Sequence, residues 1–293
     1  MTVLRSMIFV PGYKEKFLKS AINSDADALI LDIEDSVPFG FKDEARKNIS
    51  NFLNENAFPR DVYVRVNSFD SGLLSRDLEA AINENTTGFM FPKVNNERDI
   101  YYFDKMLTQI EMDRNMEIGK FKMCPLIETG AAILNALEIA TASDRITAMA
   151  FGGEDYLTDL DGLHKEHGTS LLVPRSLIVI AARTAGIEVL DTPYLNVKDI
   201  EGLRKELSLA KELGFSGTLL LHPGQIDPAN EIFSPSKTEI ENALRLIDAI
   251  ENSKKTGSAV TLIDGQLVGP PMLKRAEKII SKYNKLKSNN VNR

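Results

Sequence analysis

The amino-acid sequence predicts an α/β fold, a (β/α)8 TIM barrel followed by a C-terminal helical appendage. Three observations carry that prediction. Eight short apolar runs recur along the 293 residues, nearly every run ends in a polar or Pro/Gly cluster, and the stretches between runs have helical periodicity. Strand–helix alternation builds a parallel sheet, and eight repeats close it into a barrel whose strand C-termini carry the active site. The chain exceeds the usual single-domain size, yet barrels reach this length with one core.

The runs, in order, are SMIFVPG from Ser6, ALILDIED from Ala28, DVYVRVN from Asp61, GFMFPKV from Gly88, KMCPLIET from Lys122, TAMAFGGED from Thr147, IEVLDTPY from Ile187 and GTLLLHP from Gly217. Their continuous Val, Ile, Leu and Phe character suits strands buried on both faces. After the fourth run, Ile100, Phe103, Leu107 and Ile110 stand at helical spacing, and Gly119 ends the unit. After the seventh, Asp199 caps a helix carrying Leu203, Leu207, Ala210 and Leu213, with Gly214 at its C-terminal end.

Past His222 the pattern changes. Ser236 and Glu239 form a capping box that opens a helix with Ile240, Ala243, Leu244, Ile247 and Ile250 on one side. A Gly/Thr/Ser-bearing segment from Lys254 to Ala259 leads to a short strand at 261–263 and a turn at Asp264-Gly265. Pro270-Pro271 precede a basic amphipathic helix from Met272 to about Tyr283, and the polar tail from Asn284 is expected to fray. The expected boundaries are 1–233 for the barrel and 234–293 for the helical extension. That extension is too small to fold alone and is expected to pack on its own barrel or on a neighbouring subunit.

The formal net charge is −7, with basic and acidic residues interspersed. A nucleic-acid interface needs a concentrated basic face, so that class is excluded, although a local pocket for one phosphorylated cofactor escapes such a sum. The single cysteine, Cys124, cannot form an internal disulfide and sits in an apolar run, as a buried packing residue would. No apolar run approaches the ~20 residues that span a bilayer, and no signal-peptide core opens the chain, so a soluble cytoplasmic protein is expected. No Walker-type loop occurs, and Gly152-Gly153 alone make no dinucleotide fingerprint. They are expected to turn the backbone so that Glu154 and Asp155 face the pocket.

Glu128 and Asp155 each follow an apolar run and emerge at the same rim. Two carboxylates completed by water and substrate oxygens are a usual way to hold Mg²⁺; the alternative is that both cap helices or pair with basic residues. Arg65 stands within an apolar strand, where a guanidinium is costly to desolvate unless it meets an anion. That anion is either an internal partner such as Glu34 or the carboxylate of a substrate, clamped in bidentate fashion. The cluster Asp32, Glu34 and Asp35 supplies further acids, some accepting hydrogen bonds from Arg65, Lys93 or metal-bound water. Lys93 reads as an ion-pair partner or a Schiff-base lysine. His164 and His167 fall in a loop, and His222 is either a general base or a hydrogen-bonded structural residue.

Together Arg5-Ser-Met-Ile-Phe-Val-Pro-Gly12, Leu31-Asp-Ile-Glu-Asp-Ser-Val37, Arg65-Val-Asn67, Pro92-Lys-Val94, Ile127-Glu-Thr129, Gly152-Gly-Glu-Asp155 and His222-Pro-Gly-Gln-Ile226 resemble the citrate lyase β-subunit-like (CitE-like) family of the HpcH/HpaI aldolase and citrate lyase group. The resemblance covers nearly the whole chain. It implies a barrel with Mg²⁺ at Glu128 and Asp155. The residues expected to act in catalysis are Arg65, Glu34 and Asp35, and those expected to contact substrate are Arg65, Glu128 and Pro11.

The implied reaction cleaves a 3-hydroxyacyl thioester (citryl, malyl or citramalyl), carried on coenzyme A or an acyl carrier protein, to a 2-keto acid and an acetyl thioester. A homo-oligomer, a trimer, is implied as well. One departure stands out. Relatives acting on coenzyme A thioesters typically carry a Gly-x-Met-Ile-Asp run with a catalytic aspartate, and here Gly265-Gln-Leu-Val-Gly269 ends in glycine. Either Glu34 or Asp264 moves the proton instead, or the chain is a thioesterase or acyl-transfer enzyme on the same site, or it is a non-catalytic ligand-binding subunit.

Overall fold

Eight parallel strands close into a barrel in the order in which they occur along the chain. They are β1 (Ser6–Pro11), β2 (Ala28–Asp32), β3 (Asp61–Arg65), β4 (Gly88–Phe91), β5 (Lys122–Ile127), β6 (Ala148–Phe151), β7 (Glu188–Asp191) and β8 (Gly217–Leu220). The helices between and after them are α1 (Glu15–Ala21), α2 (Lys42–Glu55), α3 (Leu74–Ala81), α4 (Glu97–Asp113), α5 (Gly130–Leu134), α6 (Ala136–Thr141), α7 (Gly153–Asp159), α8 (Thr169–Ala185), α9 (Ile200–Leu213) and α10 (Ile226–Phe233). The computed structural model describes residues 3–163, 169–255 and 260–291, so His164 and His167 lie outside the described residues. The chain divides after Asn230 into two compact units.

Inside the barrel the strand alternation sends Met7, Ile30, Tyr63, Met90, Cys124 and Leu126 into one buried cluster. Register then decides what sits at the mouth. Ile30 pairs with Tyr63 and, two residues on, Asp32 pairs with Arg65, while Pro11 pairs with Asp32 on the other side. Because side chains alternate with period two, Pro11, Asp32 and Arg65 occupy one level directly above the apolar core. Arg65 is therefore the last residue of its strand, not a mid-strand residue as its apolar surroundings suggest.

The helix signals act as their chemistry predicts. Asn96 and Asp99 form a capping box at α4, whose buried side carries Ile100, Phe103 and Leu107. Ile110 is only half-buried; the next buried position is Glu111, which grips Arg145 with both oxygens at 2.7 and 2.6 Å. At α9 the Asp199 carboxylate accepts the Gly202 N–H at 2.9 Å, and Gly214 ends the helix at φ +108°.

The second unit holds α11 (Lys237–Lys255), the antiparallel pair β9 (Thr261–Ile263) and β10 (Gln266–Val268), and α12 (Pro270–Val291). Ser236 Oγ accepts the Glu239 N–H, and Glu239 Oε2 accepts the Ser236 N–H at 2.7 Å, closing the capping box. The hairpin turns through Asp264 and Gly265 at φ +49° and +80°, and Ile250, Val268 and Leu273 form the small core. Of the segment from Lys254 to Ala259, residues 256–259 lie outside the described residues. The last helix differs from expectation at both ends. It starts on Pro270, since proline in a first turn forfeits no helical hydrogen bond, and it runs to Val291 because no Gly or Pro stops it and its apolar stripe continues to the buried Leu286.

Candidate functional site

Asp32 and Arg65 form a two-pronged ion pair at the barrel mouth, with Nε and Nη2 each 2.7 Å from a carboxylate oxygen. The Phe9 ring lies 4.4 Å beneath the guanidinium. The backbone N–H groups of Glu34 and Ser36 also donate to Asp32, at 2.9 and 3.0 Å. Burial pushes the Asp32 carboxyl up, but the Arg65 charge and these donors outweigh it and hold its pKa below the ordinary value. The internal partner of Arg65 is thus chiefly Asp32. Its remaining nitrogen, Nη1, lies 3.2 Å from Glu34 Oε2 and 3.9 Å from Asp35 Oδ2.

Glu34 is buried, and that burial raises its pKa to about 7 even though Arg65 opposes the shift. Its Oε2 has no hydrogen-bond partner despite the nearby guanidinium. A network absent from the sequence reading holds the loop that carries it. Lys42 Nζ donates to the Ile33 carbonyl, the Glu34 carbonyl and Asn67 Oδ1 at 2.7, 2.8 and 2.8 Å. Asn67 in turn donates to Asp77, which Arg46 grips from α2 at 2.7 Å. Only Asn67, in the Arg65-Val-Asn67 motif, carried a sequence signal; Lys42 resembles any first-turn helix lysine. Asp35 is the loosest of the expected catalytic set, its side chain 61% exposed.

Glu128 follows β5 and is 2% exposed, with Oε1 accepting the Lys93 backbone N–H at 2.6 Å. Lys93 adopts φ +54°, a conformation that costs an L-residue energy and here turns its N–H toward the carboxylate. Gly152 makes room for the same side chain, since a Cβ there would fall 2.7 Å from Glu128 Cβ and 2.8 Å from Oε2. The glycine pair therefore serves Glu128 as much as the turn into α7. Asp155 stands in the first turn of α7. Burial, with Asp155 adding to it, raises Glu128 to about 8; burial, with Asp35 adding to it, raises Asp155 as well.

His222 is exposed and its Nδ1 accepts the Gly224 N–H at 3.1 Å, as a cap. Cys124 is buried in the barrel core, which pushes its thiol up to about 12. The Lys93 side chain is exposed, unlike the desolvated lysine a Schiff base needs. Pro11 is half-buried beside Asp32.

Two carboxyl groups whose pKa values are raised, with the Glu34 carboxyl adding its charge to Glu128, fit a divalent cation that would supply positive charge beyond that of Arg65. The donors are all oxygen. Among the described residues no group of three or more ligating side chains gathers, so an ion here would keep several water or substrate oxygens, as Mg²⁺ does.

Residues 5–223 match the family model for HpcH/HpaI aldolase/citrate lyase. The chain is 34% identical over 281 residues to citrate lyase subunit beta of Leuconostoc mesenteroides subsp. cremoris, covering 96% of this chain and 93% of that protein. It is 33% identical over 265 residues to a (3S)-malyl-CoA thioesterase of Cereibacter sphaeroides, covering 90% of this chain and 89% of that protein. Among solved structures, CitE from Mycobacterium tuberculosis, in complex with magnesium, acetoacetate and coenzyme A, matches with a TM-score of 0.77 at 27% identity, covering 95% of this chain and 99% of that one. A family model over most of the barrel and relatives of this identity along nearly the whole chain lead to one conclusion: the chain belongs to the HpcH/HpaI aldolase/citrate lyase family.

Proposed function

We propose that the chain is a Mg²⁺-dependent carbon–carbon lyase that cleaves a 3-hydroxyacyl thioester to a 2-keto acid and an acetyl thioester. The observation that carries this reading is the grouping, at the strand C-termini, of two carboxyls whose pKa values are raised, Glu128 and Asp155, with Glu34 and the Nη1 nitrogen of Arg65. Glu128 and Asp155 would hold the cation, which would draw negative charge onto the keto-acid oxygens. Arg65 offers Nη1 to the keto-acid carboxylate while Asp32 fixes its plane.

Glu34, poised near pH 7, takes the proton from the substrate hydroxyl as the C–C bond breaks and the electron pair passes to the thioester enolate. It then returns that proton to the enolate carbon, giving the acetyl thioester. One group thus serves both steps, which answers the glycine at position 269. The expected role of Asp264 weakens, because it is an exposed turn residue paired with Arg245.

An aromatic and basic cluster supports a coenzyme A carrier over an acyl carrier protein. The Tyr13 and Phe41 rings lie 5.6 Å apart, with Lys14 Nζ 5.0 Å from the Tyr13 ring, on the connections that follow β1 and β2. These are a stacking face and a positive charge of the kind an adenine nucleotide uses. The same reading includes a cytoplasmic homo-oligomer, a trimer, and rests there on the family resemblance.

Gly269 favours a second reading, thioester hydrolysis. Thiol release with no keto acid formed would mark it, and binding without any turnover would mark a ligand-binding subunit. Thermal melting with Mg²⁺ and oxaloacetate, pyruvate or glyoxylate tests the binding half of the lyase reading. At a hundredfold excess over Kd a ligand is expected to stabilise the fold by about 2.7 kcal/mol, and no shift with any of the three would sink the reading. Glu128→Gln keeps the volume and loses the charge, so metal affinity and turnover are expected to fall by about 100-fold with the fold intact.

Gly269→Asp completes the comparison. Its Cβ would meet only the exposed Val260 side chain, at 3.2 Å, and an aspartate would cap α12. A gain in keto-acid release of orders of magnitude would show that the missing acid limits cleavage.

A further inference from the structure

The two glycines that lead into α7 serve different neighbours. Gly152 leaves room for Glu128, whereas Gly153 leaves room for Thr192, the first residue beyond β7. A Cβ at Gly153 would fall 2.9 Å from Thr192 Oγ1 and 3.2 Å from its Cβ and Cγ2, so a larger residue would keep that side chain away. The close approach lets the Gly153 N–H donate to Thr192 Oγ1 at 2.9 Å, out of contact with water.

The first N–H groups of a helix have no partner within it, and a side chain from the residue just before usually meets one of them. At α7 that residue is Gly152, and no side-chain cap bond forms there. Thr192 supplies an acceptor instead, from 39 residues further along the chain. It is firmly held. Thr192 is 8% exposed, its carbonyl accepts Thr218 Oγ1 at 3.3 Å, and the preceding Asp191 accepts Arg175 Nε at 3.0 Å. Arg175 also donates to Glu206 at 2.9 Å, which ties this post to α8 and α9.

We infer that Thr192 is a positioning residue for the divalent cation, acting through Gly153 to fix where Asp155 presents its carboxylate. Asp155 shares the first turn of α7 with Gly153, and the Tyr156 N–H closes that turn on the Gly152 carbonyl at 3.0 Å, so the three residues move together. At seven residues α7 is too short to be stable alone, and its placement comes from the contacts at its ends. Without the hydroxyl, the buried Gly153 N–H loses its acceptor, and the turn shifts to regain one and carries Asp155 with it. The inference rests on Glu128 and Asp155 holding the cation, and it is independent of the reaction that follows.

Titration of the full chain with Mn²⁺, which takes oxygen ligands as Mg²⁺ does, tests it, with free Mn²⁺ counted by its electron paramagnetic resonance signal in the presence and absence of pyruvate. Thr192→Val keeps nearly the same shape and removes the acceptor, and its Kd for Mn²⁺ is expected to rise about tenfold. Thr192→Ser keeps the hydroxyl and is expected to bind as wild type does. A Thr192→Val variant that melts lower but binds Mn²⁺ unchanged overturns the inference, and so does equal weakening in Thr192→Ser.

Asp155→Asn separates this failure from failure of the metal reading. A wild type that binds no Mn²⁺, or an Asp155→Asn variant that binds it unchanged, overturns the metal reading and the inference together. Weakened binding in Asp155→Asn with none in Thr192→Val overturns the inference alone. Should Thr192→Val fail to fold, Gly153→Ala retains the hydroxyl and drives it away with the new methyl group. A raised Kd in that variant upholds the inference, and an unchanged one overturns it.

Discussion

Arg65 is the residue whose surroundings constrain the chemistry most. Asp32 occupies Nε and Nη2, so only Nη1 is left for another anion, and there Glu34 competes with any incoming carboxylate. Glu34 can yield that nitrogen because burial keeps much of its population protonated near pH 7. Asp32→Asn tests this coupling. Loss of one partner from a buried ion pair is expected to cost about 3 kcal/mol, read as the urea midpoint. Arg65 would then serve Glu34 alone, so the acidic limb of the pH–rate profile should move to lower pH. An unchanged midpoint and profile would mean that Asp32 does not control the site. The sequence placed Arg65 opposite an anion but left open which one, because strand pairing, not spacing along the chain, sets Asp32 beside it.

Strand ends, more than side chains, place the candidate metal carboxylates. Each expected strand forms where its apolar run begins or one residue later, yet β5 stops at Ile127 and β6 at Phe151, leaving Glu128 and Gly152 on the turns that follow. These two turns interlock, since Gly152 N–H donates to the Ile127 carbonyl at 2.9 Å and its bare Cα leaves the space Glu128 fills. Gly152→Ala is expected to displace the Glu128 carboxylate without unfolding β6. Turnover should drop by about 100-fold, the cost of misplacing a reacting group by about 1 Å, while the circular dichroism spectrum is retained. Full activity in this variant would show that the Glu128 position is not critical. The helices were legible for a simpler reason: Asp199, Gly214 and the Ser236 box act within one turn of chain, so their hydrogen bonds need no distant partner.

At the scale of the molecule, the buried acids make stability depend on pH. Glu34 and Glu128 have folded-state values of about 7 and about 8 against an ordinary 4.5. A carboxyl raised by folding holds its proton more tightly in the folded chain. Its contribution to stability is therefore complete below the ordinary value and is lost as pH rises through the folded one. Metal-free protein is expected to lose melting temperature as pH rises from about 4.5 to about 8, and Mg²⁺ to restore it most at the alkaline end. A Glu34→Gln/Glu128→Gln variant that keeps the same slope would remove these two groups as its cause.

The sequence by itself determined the eightfold alternation, the barrel and the family, because apolar periodicity, caps and short motifs are local properties. Only the tertiary structure decided that Asp32 binds Arg65, that Lys42 and Asp77 hold the Glu34 loop, that Gly152 houses Glu128, and that Thr192 meets the Gly153 N–H. Those facts depend on strand register, on close approach between strands and on the direction each side chain faces, and residues distant in sequence settle them only when the barrel closes.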